Sequence, residues 1–296
     1  MVRARSGFLE ARTDDGREVV CRLRGRLKQG RKESDIAVIG DRVSIDESGS
    51  TPVVVEVHPR RTRLSRMWPG SRGRPVEDVL AANVDLVLVC ASVGRSPPLN
   101  PRLVDRFLAI GAHGGIDGVV VLTKLDEGDL AAHQDALDGW RRAGIAVLPT
   151  SARTGAGLEE LRALISGRVV ALVGPSGCGK SSLLNALEPS LALDVGDVSD
   201  VVQKGKHTTR VASLLPIDGA LVADTPGIRE LAPFDLPPRE LGRCFPDIET
   251  FAAGCQFRSC VHDHEPGCAV REAAENGALH GGRYESYRRM LHGDAA

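Results

Sequence analysis

Eight consecutive residues, Gly174-Pro175-Ser176-Gly177-Cys178-Gly179-Lys180-Ser181, satisfy the spacing G-x-x-x-x-G-K-[ST]. They follow the apolar run "RVVALV" and open "SSLLNALE", so strand, loop and helix come in the order the motif requires. The chemistry of such a loop is phosphate binding. Its glycines let backbone N–H groups turn inward, Lys180 brings charge to the β- and γ-phosphates, and the Ser181 hydroxyl can ligate Mg²⁺. The helix N-terminus, where Ser182 lies, adds partial positive charge. Further on, "LVADTPG" is an apolar strand ending in Asp224, an acid that can hold Mg²⁺ through water. Gly227 can then offer its N–H to a γ-phosphate. In "GKHTTR", residues 205–210, Thr208 or Thr209 can close over the Mg²⁺ and γ-phosphate.

A second element lies upstream of the loop. In "VVVLTKLDEGD", residues 119–129, the Asp126 carboxylate can accept from both N1–H and the 2-amino group of guanine. Adenine has no such donor pair. Thr123 and Leu125 flank Lys124, whose stem can cover the base face. "TSARTG", residues 150–155, ends another strand, and its Ser151-Ala152 backbone can reach the guanine O6. No comparable Lys-x-Asp follows Asp224, so the earlier elements must serve the later phosphate loop. That is a guanine-nucleotide core in circularly permuted order. Permutation is tolerated because strand positions make the site, whatever the chain order.

A third cluster is ligand-like. Four of the seven cysteines, Cys244, Cys255, Cys260 and Cys268, fall near the C-terminus, which favours metal over disulfides in a chain with no export signal. "CQFRSCVHDHEPGC" offers Cys255, Cys260, His262 and Cys268, with His264 and Cys244 as competing ligands. Three thiolates and an imidazole make a closed tetrahedral set, the chemistry of structural Zn²⁺; the other reading is free buried cysteines.

The elements that must position these groups change texture along the chain. Residues 1–65 read as short strands between turns, "FLEART" and "EVVCRLRGRL" flanking Asp15-Gly16, which indicates a small β-barrel such as an OB-fold. Residues 66–83, with Pro, Gly and Arg, read as a linker. From Asp85 onward, apolar runs alternate with helix-like segments. That pattern indicates a parallel sheet covered on both faces, with ligands at the carboxyl ends of its strands. Residues 1–75 carry 17 Lys and Arg against 10 Asp and Glu, a net of +7 in a chain of net −1. A polyanionic partner or simple solvation both account for this excess. "RLRGRLKQGRK" suits a groove that tracks phosphates, and the few aromatics favour backbone or shape recognition over base reading. The first residues lack the apolar core of a signal peptide and no run is long enough to span a bilayer, so the expectation is a cytoplasmic protein without membrane association. No coiled coil calls for more than a monomer.

The order TKLD, TSA, GPSGCGKSS, GKHTTR and DTPG, with a basic β-module before and a cysteine-rich segment after, resembles the RsgA (YjeQ) family of small ribosomal subunit-dependent GTPases. The resemblance covers essentially the whole chain. It implies an N-terminal OB-fold (1–65), a central permuted α/β GTPase domain (66–233) and a small C-terminal zinc domain (234–296). It also implies hydrolysis of GTP to GDP and phosphate, stimulated by the 30S subunit, as a checkpoint late in that subunit's maturation. The implied partners are 16S rRNA and other 30S assembly factors. The family's spacing selects His262 as the fourth zinc ligand.

Two positions depart from common GTPase usage. Thr123 stands where many have Asn, from which altered loop tethering is expected. Ile228 stands where many place a water-orienting Gln, and an apolar side chain cannot orient water. His207 is the candidate for that task, with a plain loop position or an RNA contact as alternatives. The candidate catalytic residues are therefore His207, Lys180 and Thr209. Nucleotide contacts are Thr123 to Asp126, Ser151, Ala152, Gly174 to Ser182, Asp224 and Gly227. "DTPGIRELAPFDL" runs directly into the cysteine-rich module, a short connection through which nucleotide state can reach it. In the C-terminal "GGRYESYRRMLHG", Arg283, Arg288 and Arg289 can meet phosphates or form a solvated face. Two further readings are an RNA-binding scaffold in which GTP only stabilises the fold, and a P-loop ATPase, against which the guanine element argues.

Overall fold

The N-terminal residues alternate in and out, as in "FLEAR", where Leu9 and Ala11 are buried and Phe8 and Arg12 exposed. This period of two builds β1 (Arg3–Arg5), β2 (Phe8–Arg12), β3 (Glu18–Leu23), β4 (Val43–Asp46) and β5 (Val53–Val57) in the computed structural model of the chain. The structure describes residues 1–5, 8–24, 37–67, 77–193, 212–224 and 236–293. His207, Thr208, Thr209, Gly227 and Ile228 lie outside them, as do residues 25–32 of the basic stretch. The five strands run in the spatial order β1-β2-β3-β5-β4, with β3 and β5 parallel, the arrangement of an OB-fold.

Residues 66–83, read above as a linker, instead carry most of a hairpin. β6 (Arg63–Met67) pairs antiparallel with β7 (Glu77–Ala82), and Leu80, Ala81 and Ala82 are buried. Its Pro, Gly and Arg residues are concentrated in 68–76, outside the described residues, and their composition masked an apolar strand. Arg66 pairs with Asp78 at 3.0 Å inside this hairpin.

The nucleotide-motif region is a mostly parallel sheet, in which the strand Ala212–Ile217 alone runs antiparallel to its neighbour Ala220–Asp224. β8 (Leu86–Ser92) is buried along all seven residues and feeds α1 (Pro101–His113), whose first turn is capped by the Asn100 side chain. There follow β9 (Asp117–Thr123), α2 (Gln134–Arg142), β10 (Ala146–Pro149), α3 (Leu158–Ile165), β11 (Val169–Val173) and α4 (Lys180–Leu187), then β12 (Ala212–Ile217) and β13 (Ala220–Asp224). Successive residues of β8 serve opposite cores. Val87 and Val89 pack with Phe107, Leu122 and Trp140, while Leu86 and Leu88 pack with Leu161, Ile165 and Leu183. Helices thus cover both faces, which explains why the strands read as continuous apolar runs.

The sheet order is β10-β9-β8-β11-β13-β12. The chain lays down β8, β9 and β10 outward in one direction, then α3 returns it to the other side of β8. The order therefore reverses between β8 and β11, the crevice where parallel sheets bind ligands. Asp85 fastens this pair: its N–H donates to Val169 O at 2.7 Å, and its Oδ2 accepts from Val169 N–H at 2.8 Å. At the far edge β12 pairs antiparallel with β1, joining the OB strands and the GTPase-type sheet into one 11-stranded sheet.

The C-terminal module comprises α5 (Pro238–Leu241), α6 (Pro246–Ala252), α7 (Ala269–Glu275) and α8 (Gly281–Leu291) around Phe245, Ile248, Val270 and Tyr287. It docks on α1 and α2 through buried charge. The Arg283 guanidinium, 3% exposed, grips Asp247 with Nε and Nη2 at 3.0 and 2.9 Å and donates its Nη1 to Asp105 of α1. Trp140 of α2 donates to the same Asp105 oxygen at 2.8 Å. Burial pushes the Asp105 carboxyl up, and the guanidinium pulls against that shift. Both readings of Arg283, a phosphate contact and a solvated face, are therefore corrected: it is enclosed and donates to two carboxylates. Arg288 and Arg289 pair with Asp263 and Glu285 on the same helix face or beside it.

Removing one partner from a buried ionic cluster leaves an uncompensated charge, which costs about 3–5 kcal/mol. Arg283→Met is accordingly expected to lower the unfolding free energy of the C-terminal module, read by urea denaturation, by that amount. Arg289→Ala, at an exposed pair, should move it by less than about 0.5 kcal/mol.

Candidate functional site

The phosphate-type loop leaves β11 at the switch point and turns into α4. Gly174 (φ 145°) sits so close to the end of β8 that a Cβ there would lie 2.2 Å from Cys90 O. Only glycine permits this approach. Gly179 (φ 96°) makes the left-handed turn into α4. Lys180 is buried, and its Nζ donates to Gly174 O and Pro175 O, both at 2.8 Å, so the ammonium is held over the loop's own backbone. Ser181 is buried beside it in the first helical turn. A cation, a helix N-terminus and a tight glycine loop together form an anion cradle.

The two upstream elements converge on the same place. β9 ends in Thr123, whose buried hydroxyl donates to Cys178 O in the loop and lies 3.3 Å from Ala91 O. One hydroxyl proton is thus shared between a loop carbonyl and a strand carbonyl. Lys124 adopts φ 59° and anchors its Nζ on Ser96 O at 2.7 Å. Leu125 N–H donates to Thr150 O at 3.1 Å, locking this element to the end of β10.

Asp126 is gripped at both oxygens. The Ser151 hydroxyl donates to Oδ1, and Arg153 Nε donates to Oδ2 at 2.5 Å. Those two bonds, the serine's first, hold its carboxyl below the usual aspartate range. A cavity of about 390 Å³ opens between Lys124, Asp126, Ala152 and Arg153 on one side and Gly179 and Ser182 of α4 on the other. Elements separated in the chain thus share one cleft, as the permuted reading requires. Sequence reasoning missed Arg153, and its signal was only adjacency to Ser151 and Ala152. Asp224 ends β13, which runs parallel beside β11, so its backbone stands at the same edge of the sheet.

The cysteine cluster closes as a set of four. One ligand atom each from Cys255, Cys260, His262 and Cys268 lies within 4.8 Å of all the others. Cys255 Sγ is 3.9 Å from Cys268 Sγ and 3.4 Å from His262 Nδ1. Bond lengths of about 2.3 Å to sulfur in a tetrahedron predict edges of roughly 3.8 Å, so the donors fit a four-coordinate metal with no open position. Burial pushes the Cys260 thiol up to about 12 when its neighbours are thiols alone, the situation that a bound cation reverses. Cys244 is buried in the apolar core of the module and is not one of the four. His264 is exposed beside Asp263.

A model of the RsgA GTPase family matches residues 57–233. The chain belongs to the RsgA GTPase family. An RsgA protein of Gemmatimonas aurantiaca, named a small ribosomal subunit biogenesis GTPase, is 41% identical over 98% of this chain and 95% of its own. A protein of the same name from Geobacillus kaustophilus is 39% identical over 97% and 94%. Among solved structures, YjeQ from Thermotoga maritima superposes with a TM-score of 0.76 at 32% identity, covering 98% of both chains. YloQ, described as a circularly permuted GTPase, gives 0.74 at 29% identity over 98% and 92%. The chain is accordingly a GTP-hydrolysing enzyme of this family, with the permuted RsgA architecture.

Thr123→Val keeps the side-chain shape and removes the tether, leaving buried carbonyls short of a donor at about 1–3 kcal/mol. The expected outcome is an unfolding free energy, read by urea denaturation, lowered by that amount, together with weaker GDP binding in a fluorescence titration, because the loop loses its fixed position.

Proposed function

We propose that this RsgA-family enzyme hydrolyses GTP as a checkpoint factor late in maturation of the small ribosomal subunit, and that the subunit accelerates its turnover. The observation that supports the reading best is the single cleft shared by Lys124, Asp126 and Ala152 with the phosphate loop. In this reading Asp126 accepts from N1–H and the 2-amino group of guanine, Lys124 covers the base face, and the Ser151-Ala152 backbone faces O6. The loop from Gly174 to Ser182 surrounds the phosphates, with Lys180 on the β- and γ-oxygens. Ser181, Asp224 and Thr209 would hold the magnesium ion that neutralises phosphate charge, Gly227 would meet the γ-phosphate, and His207 would orient the attacking water. Cys255, Cys260, His262 and Cys268 would hold one structural zinc ion, which supplies folding energy to the C-terminal module.

The module ranges 1–65, 66–233 and 234–296, cytoplasmic residence and a monomeric state complete the proposal. The basic N-terminal module is the candidate surface for 16S rRNA. No helix among the described residues is long and apolar enough to cross a membrane.

GTP turnover measured with and without purified 30S subunits, with 50S subunits as control, tests the central claim. Acceleration of at least about tenfold by 30S alone, ~1.4 kcal/mol of barrier, is expected, and His207→Ala should abolish it. Tight 30S binding without acceleration would favour an RNA-binding scaffold instead. Metal analysis should return one zinc per chain, lost in a Cys260→Ser variant whose C-terminal module unfolds at lower urea concentration.

A further inference from the structure

Guanine presents two donors, N1–H and the 2-amino group, in one plane. A carboxylate satisfies both only if its two oxygens lie in that plane. The torsion that turns an aspartate carboxylate is soft, with no sharp staggered wells, so an unrestrained Asp126 would spend much of its time misaligned. Each oxygen has two lone pairs, and one external donor per oxygen fixes the plane while leaving one lone pair on each for the base.

The structure supplies such a pair of donors. The Ser151 hydroxyl, itself accepting from Thr154 N–H at 3.1 Å, donates to Oδ1. Arg153 Nε donates to Oδ2 at 2.5 Å. The Arg153 side chain is 73% exposed, so its guanidinium reaches Oδ2 from the solvent side and leaves lone pairs on both oxygens for a base. Arg153 also lines the cleft with Asp126. An ion pair with so exposed a cation adds little to folding, so its consequence is to be sought in binding.

We propose that Arg153 is a positioning residue for base recognition: together with Ser151 it holds the Asp126 carboxylate coplanar with the incoming guanine edge. This rests on the reading of Asp126 as the guanine acceptor. Arginine suits the task because a guanidinium N–H is directional, whereas a lysine ammonium is a rotating point charge.

The test compares dissociation constants for GDP and for inosine diphosphate, which keeps N1–H and lacks the 2-amino group. Wild type, Arg153→Leu, Arg153→Lys and Asp126→Ala are titrated under one buffer condition. Arg153→Leu is expected to weaken GDP about tenfold and inosine diphosphate much less, shrinking the ratio between them. Arg153→Lys should recover part of that loss, and neither variant should move the urea midpoint. A merely structural arginine would weaken both ligands equally. A GDP-to-inosine-diphosphate ratio in Arg153→Leu equal to wild type, with Asp126→Ala losing its preference for GDP, overturns the role of Arg153 alone. Retained preference in Asp126→Ala overturns the reading of Asp126, and the positioning role with it.

Discussion

The parallel pairing of β8 with β11 is the constraint on which the nucleotide site depends. These strands are far apart in the chain, yet Leu86 to Val89 register against Val170 to Val173, and Asp85 fixes the start of the ladder with two hydrogen bonds to Val169. Once the register is set, the end of β8 meets the phosphate loop at Gly174, where no side chain fits. β9, on the other side of β8, then delivers Thr123 within reach of Cys178. A one-residue slip in either pairing would exchange the two cores and carry Thr123 away from the loop. The site is therefore a property of register, which explains how a permuted chain can still assemble it.

A second set of contacts binds the enzyme core to its C-terminal module. The face of α1 turned away from the sheet carries Asp105, and the guanidinium that answers it comes from α8, nearly at the end of the chain. Stacking of Arg283 on the Phe245 ring, 4.7 Å from its centroid, closes the remaining side. The cluster ties orientation to pairing, because one guanidinium must meet a carboxylate of α1 and a carboxylate of α6 at once. Tyr284 and Tyr287 extend the same surface by donating to the backbone carbonyls of His262 and Val261. The orientation fixed at Arg283 is thus continuous with the cysteine cluster.

Much of this was legible in the sequence, and the boundary of legibility is physical. The phosphate loop, TKLD and TSA could be read because their function demands residue types at fixed local spacing. The parallel sheet could be read because strands buried on both faces are apolar throughout. β7 escaped because its neighbours in sequence, rich in Pro, Gly and Arg, outweighed six residues whose burial depends on Ile39 and β6. Arg283 was misassigned because its spacing within an amphipathic segment says nothing about Asp105, 178 residues away. Arg153 was passed over for a related reason: its partner is named by the fold of two loops and by no motif. The cysteine set was legible in composition, while the exclusion of Cys244 needed the apolar packing around it.

The antiparallel pairing of β12 with β1 has a mechanical consequence. β12 is the first described strand after the segment containing His207 to Thr209, and its Ala212 and Ser213 register against Ala4 and Arg3. Two strands joined by a hydrogen-bonded ladder cannot slide past one another by less than a whole register step, and each single step would turn every side chain over. Any pull along the chain at residue 211 is thus resisted in the stiffest direction a sheet offers. It reaches the N-terminal barrel as shear on the hydrogen bonds between β12 and β1, the strand-to-strand joint between barrel and sheet among the described residues.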